Sequence, residues 1–389
     1  MSHLYSHLNT AKNILGLYTG QIPFDIFLRQ FFAAEKKYGS KDRKSISALC
    51  YNYFRLGTGC TANTEDQLLG GAFLCNNEPQ LILQLMKPDW NDRITLPLAE
   101  KLALVPFVDP ARIFPFIGEL SKDIQEDAFS LSFLIQPKLF IRTRPGKSSI
   151  VKQKLQVADI PFSVIATDCL ALKNGTKLDT ILELNKEYVV QDFNSQRVGT
   201  LLPKFDNGVP GIWDCCAASG GKTILAYDTF KRVDMTVSDI RPGILHNLEN
   251  RLLQAGIRGY KSIIVDLSNE KALSTIGNRQ FDLVICDAPC SGSGTWGRTP
   301  EQLTFFRKEE IERYSTLQRT IAINVSRFVR PGGFLLYSTC SVFTRENEDV
   351  VKLITGQQPF TIIQSSLLTG YHMQADTLFA TLLQRTASD

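Results

Sequence analysis

Two short loops carry the most reactive residue types of this 389-residue chain. Asp287-Ala288-Pro289-Cys290-Ser291-Gly292-Ser293-Gly294 and Ser338-Thr339-Cys340-Ser341 each place a cysteine just beyond an apolar run, Leu283 to Cys286 and Phe334 to Tyr337. Proline and glycines force the first into a sharp, exposed turn. A thiol that follows a strand is available for nucleophilic chemistry, whereas Cys50, Cys75 and Cys286 sit within apolar stretches and read as inert core residues. If the two strands are neighbours, Cys290 and Cys340 meet over one crevice beside Asp287.

A third loop, Asp214-Cys215-Cys216-Ala217-Ala218-Ser219-Gly220-Gly221-Lys222-Thr223, suits a ligand rather than a reaction. Its paired glycines let a small molecule approach the backbone, and the helix that follows offers free amides and the positive end of its dipole. A small anion or zwitterion is the expected guest. The Gly-Lys-Thr ending suggests a Walker A loop, but Cys216 stands where that motif requires glycine, and a dinucleotide GxGxxG is missing too. Asp239 and Asp266, at the ends of the next two strands, suit the hydroxyls of a ribose and the exocyclic amine of adenine. Either alone would serve equally well as a turn or cap acid; an adenosine-bearing ligand accounts for both.

These loops require an open, mostly parallel sheet, in which ligands bind beyond the carboxyl ends of the strands. From Val209 the chain alternates apolar runs with helical periodicity: strands at Ile212–Cys215, Met235–Ser238, Ser262–Val265, Leu283–Cys286 and Phe334–Tyr337, helices at Thr223–Phe230, Gly243–Ala255 and Lys308–Arg330. The first ~130 residues read as helices, with apolar positions at three- and four-residue spacing such as Ile22, Phe24, Phe27, Leu28, Phe31 and Phe32. Between them, Leu139–Arg142 and Phe162–Ile165 look like short strands around a helix at Ser148–Val157. The expected fold class is therefore α/β, with a Rossmann-like domain over 206–389, a helical domain over 1–130 and a small α+β connector over 131–205. Six basic residues crowd that connector, Lys138, Arg142, Arg144, Lys147, Lys152 and Lys154, with no acid before Asp159. Such a run could track phosphates or be a solvated face.

Composition sets the outer limits. At 43% apolar and 21% charged residues, the chain is neither disordered nor collagen-like. No apolar stretch is long enough for a bilayer span, and the amino terminus lacks the layout of a signal peptide, so a cytoplasmic protein is expected. Nine cysteines without CxxC spacing suggest reduced thiols and no metal site. A formal charge of +4 permits a polyanionic partner without requiring one. No heptad or repeat marks an oligomer, and a monomer is expected.

The loops resemble the Nop/Sun family of RNA cytosine carbon-5 methyltransferases, through Asp214 to Thr223, Asp239, Asp266, Asp287 to Gly294 and Ser338 to Ser341, with Gln191-Asp192, Ser195-Gln196 and Glu346-Asn347-Glu348 as further landmarks. The resemblance covers about Leu139 to the carboxyl end. Ser219 replaces the usual proline of the glycine loop, and Arg144 an asparagine often found there; neither change removes a reacting group. Lys41-Asp42-Arg43 and Tyr53-Phe54-Arg55-Leu56 are faintly similar to the helical NusB-like domain of the bacterial ribosomal-RNA subgroup.

The resemblance implies S-adenosylmethionine as cofactor, held by Cys216, Ala217, Ala218, Ser219, Gly220, Gly221, Lys222, Asp239, Asp266 and Asp287. It implies an RNA substrate, ribosomal more readily than transfer RNA, met by Lys138, Arg142, Arg144 and Lys147. Carbon 5 of cytosine attacks a sulfonium methyl only after a thiolate has added to carbon 6. The resemblance assigns that attack to Cys340 and release to Cys290; Asp287 would hydrogen-bond the base, and the thiolate needs support from Lys222 or from the loop's amide donors. The opposite assignment, with Cys290 attacking as in the Pro-Cys loop of DNA cytosine methyltransferases, stays open. So do a noncatalytic RNA-binding assembly factor and an amine methyltransferase, although the latter usually carries an Asn/Asp-Pro-Pro-aromatic loop.

Overall fold

The computed structural model describes residues 2–206 and 208–387. They form two compact units: one of residues 1–118, 124–137 and 295–308, the other of 119–123, 138–294 and 309–389. Among the described residues no helix is long and apolar enough to cross a membrane.

The first unit is helical. Its longer helices are α1 (Ser2–Leu17), α2 (Phe24–Ala34), α3 (Ser40–Arg55) and α4 (Thr64–Leu74), and short helical turns follow where Pro88, Pro97 and Pro110 recur. Asn63 caps α4, its Oδ1 accepting the amides of Glu65 and Asp66. Phe24, Phe54, Tyr18 and Phe305 meet edge to face, with centroids 4.8 to 6.0 Å apart. Gly20 stands at φ +77°, and a Cβ there would lie 2.6 Å from the Phe305 ring. Arg55, buried, donates to the carbonyls of Phe133 (2.8 Å) and Gly297 (2.9 Å) and to Gln136 Oε1 (2.7 Å). Residues 295–308 are thus stitched to this unit, although they leave directly from the Cys290 loop.

The second unit holds two sheets. The smaller comprises β1 (Leu139–Thr143), β2 (Ser163–Ala166), β3 (Cys169–Leu172) and β4 (Tyr188–Val190) in the antiparallel order β2-β3-β1-β4. Helix α5 (Ser148–Val157) buries Val151 and Leu155 against Ile141, Leu170 and Leu172. A short helix, α6 (Phe193–Arg197), leads on; Asp192 caps it by accepting the Asn194 amide.

The larger sheet is the Rossmann-like one expected. Its strands β5 (Gly211–Asp214), β6 (Asp234–Asp239), β7 (Lys261–Ile264), β8 (Phe281–Asp287), β9 (Val329–Thr339), β10 (Phe360–Leu368) and β11 (Leu378–Arg385) run in the order β10-β11-β9-β8-β5-β6-β7. Strands β7 to β9 through the centre are parallel, and β11 is antiparallel to both its neighbours. Alternation decides the faces. Ile212, Leu283, Ile285 and Leu336 point to helices α7 (Gly221–Phe230) and α8 (Pro242–Gln254); Trp213, Val284, Leu335 and Tyr337 point to α9 (Glu309–Ser326) and α10 (Glu348–Gln357). Strand order reverses between β5 and β8, which opens the crevice at their carboxyl ends.

Candidate active site

The glycine loop leaves β5 at that crevice. Ala218 (φ +44°) and Gly220 (φ +83°) take left-handed conformations that fold the loop back, and a Cβ on Gly220 would lie 2.2 Å from Leu248 Cδ1. The Ala217 amide donates to the Ser238 carbonyl (2.9 Å) and the Ala218 amide to Asp239 Oδ2 (3.2 Å), so β6 holds the loop in place. Thr223 Oγ1 donates to Asp214 Oδ2 at 2.6 Å, and the buried Asp214 Oδ1 has no partner among the described residues. Burial pushes the Asp214 carboxyl up to about 7, against the Thr223 hydrogen bond. Asp239 accepts from the Arg241 backbone and guanidinium; burial opposes its charge, but these bonds hold its carboxyl below the usual range. Asp266 Oδ1 accepts from the amide and hydroxyl of Ser268.

Beyond β8 and β9 the two expected thiols meet. Cys290 and Cys340 lie Sγ to Sγ at 3.4 Å, both partly exposed. Their strands are paired in parallel, Asp287 opposite Ser338. The contact with Cys340, then burial and the charges of Cys340 and Glu346, push the Cys290 thiol well above its ordinary range. Asp287 is fixed at both oxygens: Ser338 Oγ donates to Oδ1 at 2.7 Å and Lys222 Nζ to Oδ2 at 3.1 Å. Lys222 also reaches Ser195 Oγ at 3.2 Å. Burial works against the Lys222 ammonium, but Asp287, with Cys340 and Asp214, outweighs it and holds the group above the usual lysine range.

Under the thiols lies a polar scaffold. Glu346 accepts the Ser291 amide (2.9 Å), the Ser341 hydroxyl (2.8 Å) and the Gln318 amide (2.8 Å), while Gln318 also donates to the Pro289 carbonyl (2.9 Å). Gly294 allows the loops to close: its amide donates to the Cys340 carbonyl at 2.9 Å, and a Cβ there would stand 1.9 Å from the Thr377 carbonyl oxygen. The sequence marks Glu346, Ser195 and Ser338 only as members of landmark stretches, without roles, and does not mark Gln318. Ser338 was within reach as a polar residue at a strand end; nothing local marks Gln318.

Two expected RNA-binding residues need correction. Arg142 and Arg144 are 6% and 8% exposed, and both pair with Asp228 on α7, at 2.6 and 2.9 Å. Arg142 Nε also donates to Gln191 Oε1, and Gln191 Nε2 reaches the Gly221 carbonyl at 3.3 Å. These guanidiniums brace the back of the glycine loop instead of facing solvent. Lys147 is exposed and Lys138 half-buried.

The family model of the 16S rRNA methyltransferases RsmB/F matches residues 199–374, which carry all of the loops above from Cys216 to Cys340. That match supports the resemblance to the Nop/Sun RNA methyltransferases. A probable ribosomal RNA small subunit methyltransferase B of Bacillus subtilis is 29% identical over 58% of this chain, and a ribosomal RNA small subunit methyltransferase B of Salmonella paratyphi A is 32% identical over 44%. The matches span 51% and 38% of those relatives, about half their length or less. The solved structure of PH0851 superimposes with a TM-score of 0.71 at 20% identity, covering 96% of each chain. That of NSun6 from Pyrococcus horikoshii, solved with SFG, gives 0.59 at 15% identity, covering 72% of this chain and 98% of the other. Both likenesses concern the fold. S-adenosylmethionine is the cofactor of the Nop/Sun type, and this crevice fits it: the unpartnered buried oxygen of Asp214 would suit an ammonium, and the α7 amino terminus would suit a carboxylate.

Proposed function

We propose that the chain is an S-adenosylmethionine-dependent RNA (cytosine-C5) methyltransferase acting on ribosomal RNA in the cytoplasm. The observation that carries this reading is the 3.4 Å meeting of Cys290 and Cys340 beside Asp287 and Lys222. The cofactor, when bound, supplies an electrophilic methyl group. Cys216 to Lys222, Asp239, Asp266 and Asp287 would hold it. Cys340 attacks carbon 6 of the target cytosine, and the Lys222 ammonium supports its thiolate. Asp287, its orientation set by Ser338 and Lys222, hydrogen-bonds the base edge and stabilises the charge that builds there.

Carbon 5, made enamine-like by that addition, is the position that would take the methyl group; its proton then passes to a solvent water as the carbon 6–sulfur bond breaks, so that Cys340 leaves as thiolate and the ring is restored. Cys290, held as the neutral thiol, donates S–H to that departing sulfur and so assists release. The target base must be single-stranded or flipped out, since a stacked pair hides carbon 6. Lys138 and Lys147 meet phosphates.

The test is methyl transfer from labelled S-adenosylmethionine to ribosomal RNA, followed by nucleoside analysis. 5-Methylcytosine is expected, on ribosomal and not on transfer RNA. Any other methylated base overturns the mechanism, and transfer-RNA labelling overturns the substrate.

A further inference from the structure

A second sulfur cluster lies apart from the Cys290–Cys340 pair. The Sγ atoms of Cys215, Cys216 and Cys286 all stand within 4.8 Å of one another. Consecutive residues of a strand point to opposite faces, yet Cys215 and Cys216 share one, because β5 ends at Asp214 and the chain turns there. Cys286, on β8, is brought alongside by the parallel register of Asp214 with Ile285 and by the Cys215 amide donating to the Ile285 carbonyl at 3.0 Å. Cys215 and Cys286 are fully buried beside Trp213, Val284 and Tyr337, and the partly exposed Cys216 forms the open side.

This geometry has a chemical consequence. Metal–sulfur bonds of about 2.3 Å place the sulfurs of a three-thiolate site about 4 Å apart, within the present spacing. Thiolates select soft or borderline ions, and among the described residues no histidine or carboxylate joins the three sulfurs to favour a harder one. We propose that Cys215, Cys216 and Cys286 form a three-thiolate site for a thiophilic divalent d10 cation, of the zinc and cadmium class, behind the cofactor loop. On binding, three S–H bonds break, three metal–sulfur bonds form and three protons pass to solvent, with no change of oxidation state. The ion enters from the Cys216 side. Because Cys216 is also the first residue of the cofactor-binding stretch, occupancy restrains the start of that loop.

The experiment uses Cd2+ as probe and the full chain carrying Cys290→Ser and Cys340→Ser, which removes the other sulfur pair. That protein should bind one equivalent of Cd2+ with thiolate-to-metal charge-transfer absorption, and its melting temperature should rise. Adding Cys286→Ala or Cys216→Ser should weaken binding by 10-fold or more and abolish the thermal shift. Circular dichroism of the apo variants confirms folding; the partly exposed Cys216 position keeps the test open should Cys286→Ala fail to fold. Absence of Cd2+ binding in the double variant, or binding indifferent to Cys216 and Cys286, overturns the site. Zn2+ competing for the bound Cd2+ is the expected second result.

Discussion

Ser338 and Lys222 hold the two oxygens of Asp287 from opposite sides, at 2.7 and 3.1 Å. A carboxylate gripped in this way has one orientation. Ser338→Ala releases Oδ1 without touching charge, so it should lower kcat about 10-fold while leaving KM for the cofactor nearly unchanged. Asp287→Asn should cost about 100-fold or more in steady-state methyl transfer. Equal losses in the two variants would mean that Asp287 serves only as a strut.

The sulfur pair makes an asymmetric prediction. Cys340→Ala should abolish any covalent protein–RNA adduct on denaturing gels, and Cys290→Ala should let one accumulate as turnover fails. The reversed pattern would assign the attack to Cys290.

Arg142, Arg144 and Asp228 make a buried ionic triad that should matter to folding rather than to RNA. Asp228→Ala strands two buried guanidiniums, and a loss of about 3 kcal/mol in urea unfolding is expected. Lys147→Ala should leave stability unchanged within ~0.5 kcal/mol and lower the salt slope of RNA binding by about 1. Comparing melting curves with binding isotherms at several salt concentrations distinguishes the roles.

Glu301 gives a pH prediction. Its Oε1 accepts the Phe24 amide at 3.3 Å, its buried Oε2 has no partner among the described residues, and burial raises its carboxyl above the ordinary range. Above the unfolded carboxyl value near 4.5, the folded state holds the proton more firmly than the unfolded one, so stability falls as pH rises through that interval. Glu301→Gln should remove that slope and raise stability at pH 8 relative to the wild-type chain. A steeper pH dependence in the variant would contradict this.

What the sequence disclosed followed locality. Strands β5, β6, β7 and β8 and the core of β9 are visible as apolar runs, and the two thiols are visible because each follows one. The closing hairpin escaped notice: β10 exposes Ile362 and Ile363 at a sheet edge, and β11 buries both faces, so neither shows the half-buried alternation that marks a strand. Arg142 and Arg144 were misread because Asp228 is more than 80 residues away. Glu346 and Gln318 gain their roles only when α9 and the Cys340 loop fold together. Nor does anything local set residues 295–308 apart from the sheet domain expected over 206–389.

That excursion makes the chain hard to dissect. Trp296, Phe305 and Phe306 have their aromatic partners, Phe114, Tyr18, Phe54 and Phe116, among the helices. A gene shortened to start at Lys138 would leave three large rings wet and tether the Cys290 turn to a sticky, ill-formed strap. Shuffling this sheet-bearing half onto a foreign leader would therefore demand that the strap be redesigned with it.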